Sequence, residues 1–199
     1  MSRRSADERR EELIEAAIRV MIREGVAKAT TRAVVAEAGL PLGAFHYCFR
    51  SKEELLQSVI ERIMARSLTP ATAGLRDAPP AEAIRTGLHT YWELIRRHPD
   101  EHLLTYELTQ YALRQPGLAE LARRQYRQYL ASVHTTLQTL SHLADIDWTV
   151  PLPVLARYGL GVLDGLTLTW LIDRDDTLAY AALDEFADYL LSVARPRRG

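Results

Sequence analysis

Apolar side chains recur every three to four residues along most of the chain, the spacing that gathers them on one face of an α-helix. Residues 7–24 show this pattern well, because Leu13, Ala17 and Val20 share a stripe that is mostly free of arginine. No stretch alternates apolar and polar residues as a β-strand does. The sequence therefore predicts an all-α fold of about nine helices. Beyond residues 7–24, these are two short helices within 30–48 and longer ones at about 52–67, 81–97, 101–114, 118–143, 152–173 and 176–194.

Residues 68–80 contain the clearest break in this helical pattern. Pro70, Gly74 and the pair Pro79–Pro80 fall within this short stretch, and such residues interrupt helices. Its shortness favours a loop between helices over a free linker. We predict two domains, at 1–52 and 53–199.

The stretch Thr30–Leu56 predicts two short helices, a tight turn between them and the start of a third helix. A threonine can cap the first helix, Gly39 suits the turn, and Pro41 suits the start of the second helix at about Leu42–Cys48. Ser51 begins a capping-box pattern with a Glu three residues later. Two short helices joined at a glycine form the helix-turn-helix pattern, although an ordinary helical corner has the same spacing.

Charge is distributed unevenly along the chain. Residues 1–52 carry ten Lys and Arg against seven Asp and Glu, a net charge of +3. The remaining residues hold fifteen basic and nineteen acidic side chains, a net charge of −4. A positive segment ahead of an acidic body suits the binding of a polyanion at one end, although ordinary solvated helix faces account for most such charges.

Motifs for catalysis, metal binding and nucleotide binding are missing from the sequence. It contains neither a phosphate-binding glycine loop nor an HExxH pattern, and its six histidines are scattered. Cys48 is the single cysteine, so no intramolecular disulfide or cysteine-based zinc finger can form. We therefore expect no catalytic residue, no metal and no cofactor, and a protein that is not an enzyme.

The chain also shows no sign of export or membrane insertion. Its first residues are charged and lack the apolar core of a signal peptide. The most apolar region, Leu152–Ile172, is interrupted by Arg157 and Asp164, so it offers no uninterrupted run that could span a membrane. We expect a cytoplasmic protein without a membrane partner.

The order of residues in and around the helix-turn-helix resembles the DNA-binding domain of the tetracycline-repressor (TetR) family of bacterial regulators. The resemblance extends over about Glu11–Val59 at the level of motifs and is architectural afterwards. In three places the family pattern differs: Pro41 stands where Ser is frequent, His46 where Tyr is usual, and Cys48 where Tyr or His is frequent. The matching positions are Thr31, Val35, Ala36, Ala38, Gly39, Leu40, Gly43, Phe45, Phe49 and Ser51 to Leu55.

The resemblance implies a homodimeric, ligand-responsive transcriptional regulator, most often a repressor. Such a protein would bind a near-palindromic double-stranded DNA operator through the helix-turn-helix and be released by a small-molecule effector in its helical body. The alternative is a helical small-molecule-binding or interaction protein whose DNA reader is weakened or lost. The departures at Pro41, His46 and Cys48 keep that alternative open.

The expected DNA-binding residues lie on and beside the second short helix. The N-terminal part of a recognition helix enters the major groove, which places the first group beside base edges. These base-edge candidates are Leu42, Gly43, Ala44 and His46. The other DNA-binding candidates are Thr31, Arg32, Tyr47 and Lys52, with Thr31, Tyr47 and Lys52 expected to hold phosphates. Lys52 begins a helix, whose N-terminus favours an anion.

Aromatic residues fall on four predicted helices of the second domain, where they either fill a core or line a ligand cavity. The family resemblance favours a cavity. The candidate ligand-binding residues are Tyr91, Trp92, Glu107, Tyr111, Tyr126 and His134. We expect the far end of the helix at 52–67, around Met64–Leu68, to pack near the helices at 81–97 and 101–114 and to transmit the effector signal.

The last two predicted helices carry apolar side chains and glycines that favour self-association. Glycine lowers helix stability, so Gly159 and its neighbours need a reason such as close approach of another helix. Proteins that resemble the TetR family dimerise through these two helices as a four-helix bundle. The expected interface residues are Ala156, Gly159, Leu163, Leu166, Leu178, Ala182, Phe186 and Tyr189.

Overall fold

The computed structural model describes residues 5–67 and 79–197. Over these residues it confirms the predicted all-α fold, with nine α-helices and one very short two-stranded sheet. None of the helices in this part of the chain is long and apolar enough to cross a membrane. The helices are α1 (Ala6–Glu24), α2 (Thr31–Glu37), α3 (Leu42–Cys48), α4 (Lys52–Ser67), α5 (Pro80–Arg97), α6 (Pro99–Arg114), α7 (Ala119–Leu143), α8 (Leu152–Asp173) and α9 (Asp176–Ser192).

Three features differ from the sequence prediction. A 3-10 helix, Val26–Lys28, follows α1, and α9 ends at Ser192 instead of continuing to residue 194. The strands β1 (Ile146–Trp148) and β2 (Ala194–Pro196) pair antiparallel, with Asp147 opposite Arg195. The expectation of no strand was wrong because three residues are too few for an alternating pattern to be recognised.

Two compact units make up the described chain: residues 5–66 with 100–125, and residues 79–99 with 126–197. The first unit therefore contains α1 to α4 together with α6, and the second contains α5, α8 and α9 with most of α7. These units do not coincide with the predicted domains at 1–52 and 53–199. That division by function stays a prediction.

The core of the first unit forms where α1 packs against the helix-turn-helix. Leu13, Ala17 and Val20 of α1 are buried, as the periodicity of this helix predicted, and Phe45 and Phe49 are buried beside them. Phe45 and Phe49 lie in ring contact, with centroids 5.5 Å apart. Burial of such aromatic side chains stabilises a small unit strongly, since each removes a large apolar area from water.

Helix α6 belongs to the first unit although it follows α5 in the chain. Its Glu101 carboxylate accepts a hydrogen bond from Arg66 of α4 at 2.6 Å, and the same guanidinium reaches Glu15 of α1 at 2.6 Å. Leu104 and Leu108 of α6 are buried. The loop predicted at 68–80 lies almost entirely outside the described residues, as do Leu68 and the side chain of Met64.

The second unit is built on the packing of α5 against α9. Arg85 of α5 forms ion pairs with Asp184 and Asp188 of α9, and Arg96 pairs with Asp176 at 2.6 Å. Two apolar groups of buried side chains lie beneath this ionic layer. The first includes Ile84, Leu137, Leu155, Phe186 and Leu190, and the second is formed by Trp92, Ile95, Trp170, Ala179 and Leu183.

Candidate DNA-binding surface, cavity and dimer face

The helix-turn-helix is fixed locally by one cap and one left-handed glycine. The Thr30 hydroxyl accepts a hydrogen bond from the Ala33 N–H at 3.2 Å, which caps α2. Gly39 has φ +64°, a conformation that favours glycine, and it turns the chain towards α3. Pro41 stands immediately before α3 with φ −70°, as the cap instead of the first helical residue. This local geometry directs one side of α3 to the core and the other outward.

The outward side of α3 presents most of the residues expected beside base edges. Leu42 and Tyr47 are large apolar or aromatic side chains that are 42% and 69% exposed, and His46 and Gly43 are exposed beside them. Such exposure is unusual for large side chains and is typical of an interaction surface. Ala44 is the exception, because it is buried in the core of the first unit. The expectation that Ala44 contacts bases is therefore wrong.

The residues expected at phosphates fall into two groups. Thr31 is half-buried and Arg32 is exposed, while the Tyr47 ring lies under the Arg9 guanidinium at 5.2 Å. Lys52 instead turns towards the protein. Its ammonium group lies 3.5 Å from the Val26 carbonyl and 5.3 Å from the centre of the Tyr111 ring. Those contacts hold the Lys52 ammonium group against the protein instead of presenting it to a phosphate, which is the role that we expected for it.

Arg10 of α1 fixes the position of α3, a role that the sequence did not reveal. Its guanidinium donates hydrogen bonds to the Cys48 carbonyl at the end of α3, to Glu54 at 3.0 Å and to Ser58 at 3.0 Å. It also lies over the Phe49 ring at 4.2 Å. A single Arg on a charged helix carries no sequence signal for such a role, because its partners lie far along the chain.

Glu54 completes this connection from the start of α4. The expected capping box forms only in part, because the Ser51 hydroxyl accepts from the Glu54 N–H at 3.3 Å but the Glu54 carboxylate turns to the Arg50 N–H at 2.9 Å. The hydrogen bond from the Arg50 N–H, together with the weaker contribution of the Arg10 guanidinium, holds the pKa of Glu54 below its usual range.

Arg10→Met is expected to lower the free energy of unfolding by about 1–2 kcal/mol, because the α3 carbonyl and Glu54 lose their charged donor in a partly exposed site. Urea unfolding followed by circular dichroism measures the change. Arg9→Met is the matched control on the same helix. It should leave the unfolding midpoint unchanged and weaken only DNA binding, and equal destabilisation by both variants would contradict the role of Arg10.

A cavity lies within the second unit, between α5, α7, α8 and α9. Its volume is about 100 Å³, which is small for a small-molecule site. Leu88, Leu137, Leu155 and Phe186 form much of its apolar wall. Hydroxyl groups are supplied by Tyr91, Ser132 and Thr136.

Only Tyr91 of the six ligand-binding candidates lines this cavity. Trp92 is fully buried against Trp170, and its indole N–H has no hydrogen-bond partner in the described chain. Tyr126 lies in the same unit near Asp164, and His134 is half-buried outside the lining.

Glu107 and Tyr111 do not line this cavity, because both lie on α6 in the first unit, and their assignment to the ligand site stays a prediction. The Glu107 carboxylate accepts a hydrogen bond from the Val26 N–H at 2.7 Å. The Tyr111 ring contacts the Lys52 ammonium group. Both side chains therefore connect α6 to the segment that precedes the helix-turn-helix.

A carboxylate that sequence reasoning missed lies near the Tyr91 end of the cavity. The Tyr126 hydroxyl donates a hydrogen bond to Asp164 of α8 at 3.2 Å. Burial and this carboxylate raise the pKa of Tyr126 to about 12, and the same two causes raise the pKa of Tyr91 far above its usual range. The available signal was the acidic side chain itself, which interrupts the most apolar helix of the chain.

Helix α8 turns a different face outward from the one that we expected. Ala156 and Gly159 are buried, Leu163 and Phe186 line the cavity, and Leu166 packs on the Trp92 side of the core. The error arose because α8 is apolar on all sides, so periodicity does not select a face. On α9, Leu178 is exposed, whereas Ala182 and Tyr189 are half-buried.

The exposed face of α8 is a continuous apolar stripe at spacings of three and four residues. Gly161 and Gly165 lie at its centre, and within residues 5–67 and 79–197 no other part of the protein lies within 4 Å of where their side chains would begin. Such a stripe permits another helix to approach closely. Its side chains are Val154 (57% exposed), Tyr158 (48%), Leu168 (45%) and Ile172 (78%).

Comparison with known proteins agrees with this arrangement. Residues 13–59 match the model of the bacterial regulatory proteins of the TetR family, and residues 80–193 match the C-terminal domain of BetI-type transcriptional repressors. The chain is 29% identical over 190 residues to the nicotine-responsive transcriptional repressor HdnoR of Paenarthrobacter nicotinovorans, covering 94% of this chain and 96% of that protein.

Solved structures of regulators are also similar to this chain. The multidrug binding protein EbrR, complexed with imidazole, is 28% identical with a TM-score of 0.61, covering 92% of this chain and 94% of that one. The Bacillus subtilis regulator FadR, in complex with stearoyl-CoA, shares the fold at 18% identity with a TM-score of 0.70, covering 92% and 97%. Regulators of this family bind DNA operators and small-molecule effectors and act as dimers. The chain therefore belongs to the TetR family and is a ligand-responsive transcriptional repressor.

Proposed function

We propose that this repressor reads a near-palindromic operator through the exposed side of α3 and is released when a small molecule occupies the cavity of the second unit. The observation that carries the first half is the orientation of α3. Phe45 holds its inner side in the core, and this leaves Leu42, His46 and Tyr47 outward. Because the target is bacterial DNA, we further propose that the protein acts in the cytoplasm.

Base reading and phosphate binding are assigned to different residues. Leu42, Gly43 and His46 lie on the part of α3 that would enter the major groove, where Leu42 suits a thymine methyl group. Tyr47, Arg9 and Arg32 flank this face and supply a hydroxyl and two guanidinium groups for phosphates. Two such helices in a dimer would meet half-sites about 34–36 Å apart.

The DNA-binding role of the helix-turn-helix, here called the reading head (residues 30–48), is tested by measuring its affinity for duplexes from the DNA that flanks the gene. Arg32→Ala should weaken every duplex alike and reduce the dependence of affinity on salt by about one phosphate contact. His46→Ala should instead change affinity at one base position in each half-site, by about 1–3 kcal/mol. A wild-type dimer that binds none of these duplexes better than unrelated DNA would favour a protein with a lost DNA reader.

The cavity is the proposed effector site because it is enclosed by four helices, mostly apolar and supplied with a few hydroxyl groups. HdnoR is nicotine-responsive and EbrR is a multidrug binding protein, and both similarities support a small organic molecule as the effector. Ser132→Phe would fill part of this space with a larger side chain. The variant should keep operator binding and lose release by the effector.

A further inference from the structure

One end of the cavity differs chemically from the rest. Tyr91 of α5 and Leu163 of α8 line this end, and Asp164 follows Leu163 directly in the chain. On α7, Tyr129 precedes the lining residue Ser132 by three positions, so it lies one helical turn beyond the lining on the same side.

Two tyrosines of α7 lie near the carboxylate at this end. The Tyr126 ring contacts the Tyr129 ring edge to face, with centroids 5.8 Å apart, and the Tyr126 hydroxyl donates to Asp164 at 3.2 Å. A hydroxyl partner leaves the negative charge of a carboxylate in place. Beside the lining residue Tyr91, the structure therefore places two further phenol rings and one carboxylate that lie just outside the lining.

The Asp164 carboxylate places a negative charge near this end of the cavity. The Asp164 charge, added to burial, raises the pKa of both Tyr91 and Tyr126, because a second negative charge beside it is unfavourable. Arg157 acts in the opposite direction on Tyr126, but it is the smallest of the contributions. A positive group placed here would therefore be stabilised, and an anion would be repelled.

We propose that the effector is an amphipathic organic cation, an amine whose apolar body fills the cavity and whose positive group lies among Tyr91, Tyr126, Tyr129 and Asp164. The faces of aromatic rings attract cations, and a carboxylate in partly apolar surroundings binds them more strongly than it does in water. This inference rests on the proposal that the cavity is the effector site, and it adds the charge of the ligand.

Three compounds with one apolar body separate the effect of charge from that of shape. Phenylbutylamine is a cation at neutral pH, phenylbutanol is uncharged and phenylbutyrate is an anion. In calorimetric titrations of the full-length dimer, the amine should bind about tenfold or more tighter than the alcohol, and the carboxylate should bind most weakly.

Asp164→Asn should remove this order of affinities. It keeps an acceptor for the Tyr126 hydroxyl but removes the charge, so the amine and the alcohol should then bind within about threefold of each other. Tyr126→Phe is the matched control, because it removes the hydrogen bond and keeps the charge; its preference for the amine should persist. A thermal melt of each variant verifies that the second unit is folded.

The outcomes distinguish an error in the charge of the ligand from an error in the location of the effector site. Equal binding of amine and alcohol by the wild type overturns the inference of a cation, and a preference for the amine that survives Asp164→Asn overturns the placement of its positive group beside Asp164; either result leaves the cavity as the effector site. Binding of none of the three compounds, or binding that is unaffected by Ser132→Phe, contradicts the cavity as the effector site and the cation with it.

Discussion

Changing Ile172 to Glu is expected to convert the dimer into monomers and to lower operator affinity about a thousandfold or more, since a monomer reads only one half-site. Ile172 is 78% exposed at the end of the apolar stripe on α8. A carboxylate there is solvated in the monomer but would be buried without a partner in a helix–helix interface. Sedimentation measures the oligomeric state, and duplex binding measures the affinity.

Leu113→Glu is the matched control for this experiment. Leu113 is also apolar and 60% exposed, but it lies on α6 and outside the α8 stripe, so the variant should remain a dimer. An Ile172→Glu protein that stays dimeric and binds the operator normally would exclude the stripe as the interface. Phe186→Glu does not test the interface, because Phe186 is buried against the cavity and its replacement would disrupt the core.

The helices of the reading head could be predicted because each carries a local signal. The turn after α2 requires a left-handed conformation, which Gly39 adopts without strain, and the hydroxyl of Thr30 caps α2. The apolar side chains of α1 lie on a single face. Under these conditions periodicity and capping fix both the bounds and the orientation of a helix. Ala44 was misplaced because this short helix carries large apolar or aromatic side chains on both sides, so the sequence gives no contrast between them.

The interface and the cavity could not be predicted, because they depend on which way α8 rotates. That helix is apolar all round, so its outward face is decided by packing against α5, α7 and α9, which the sequence of α8 does not contain. Asp164 was an informative position. We used it only to argue against a membrane span, although a carboxylate in an apolar helix is more often functional.

The position of α6 has a similar cause, since its partners are distant in the chain. Glu107 contacts Val26, which is 81 residues away, and Arg66 contacts Glu101 across 35 residues. Neither pair lies within the range over which helix periodicity acts. As a result, two residues that we expected at the ligand are part of the unit that carries the reading head.

Glu107→Ala is expected to uncouple effector binding from operator release. Helix α6 follows α5 directly in the chain, and α5 contributes Tyr91 to the cavity, so a displacement of α5 can pass into α6. At its other contact, the Glu107 carboxylate holds the Val26 N–H in the short 3-10 helix that leads into α2. Removing this hydrogen bond breaks the described polar connection between α6 and the backbone that precedes the reading head.

The measurement compares operator affinity with and without a saturating effector. Allosteric coupling of about 1–3 kcal/mol would give the wild type a release factor of about 5–150-fold, and Glu107→Ala should reduce this factor to less than about twofold. Effector affinity should stay unchanged, because Glu107 lies outside the cavity. Glu107→Gln is the matched control: its amide oxygen can still accept from the Val26 N–H, so release should persist. If Glu107→Ala is released as readily as the wild type, the signal does not pass through this contact. Loss of effector affinity in the same variant would instead indicate that Glu107 contacts the effector.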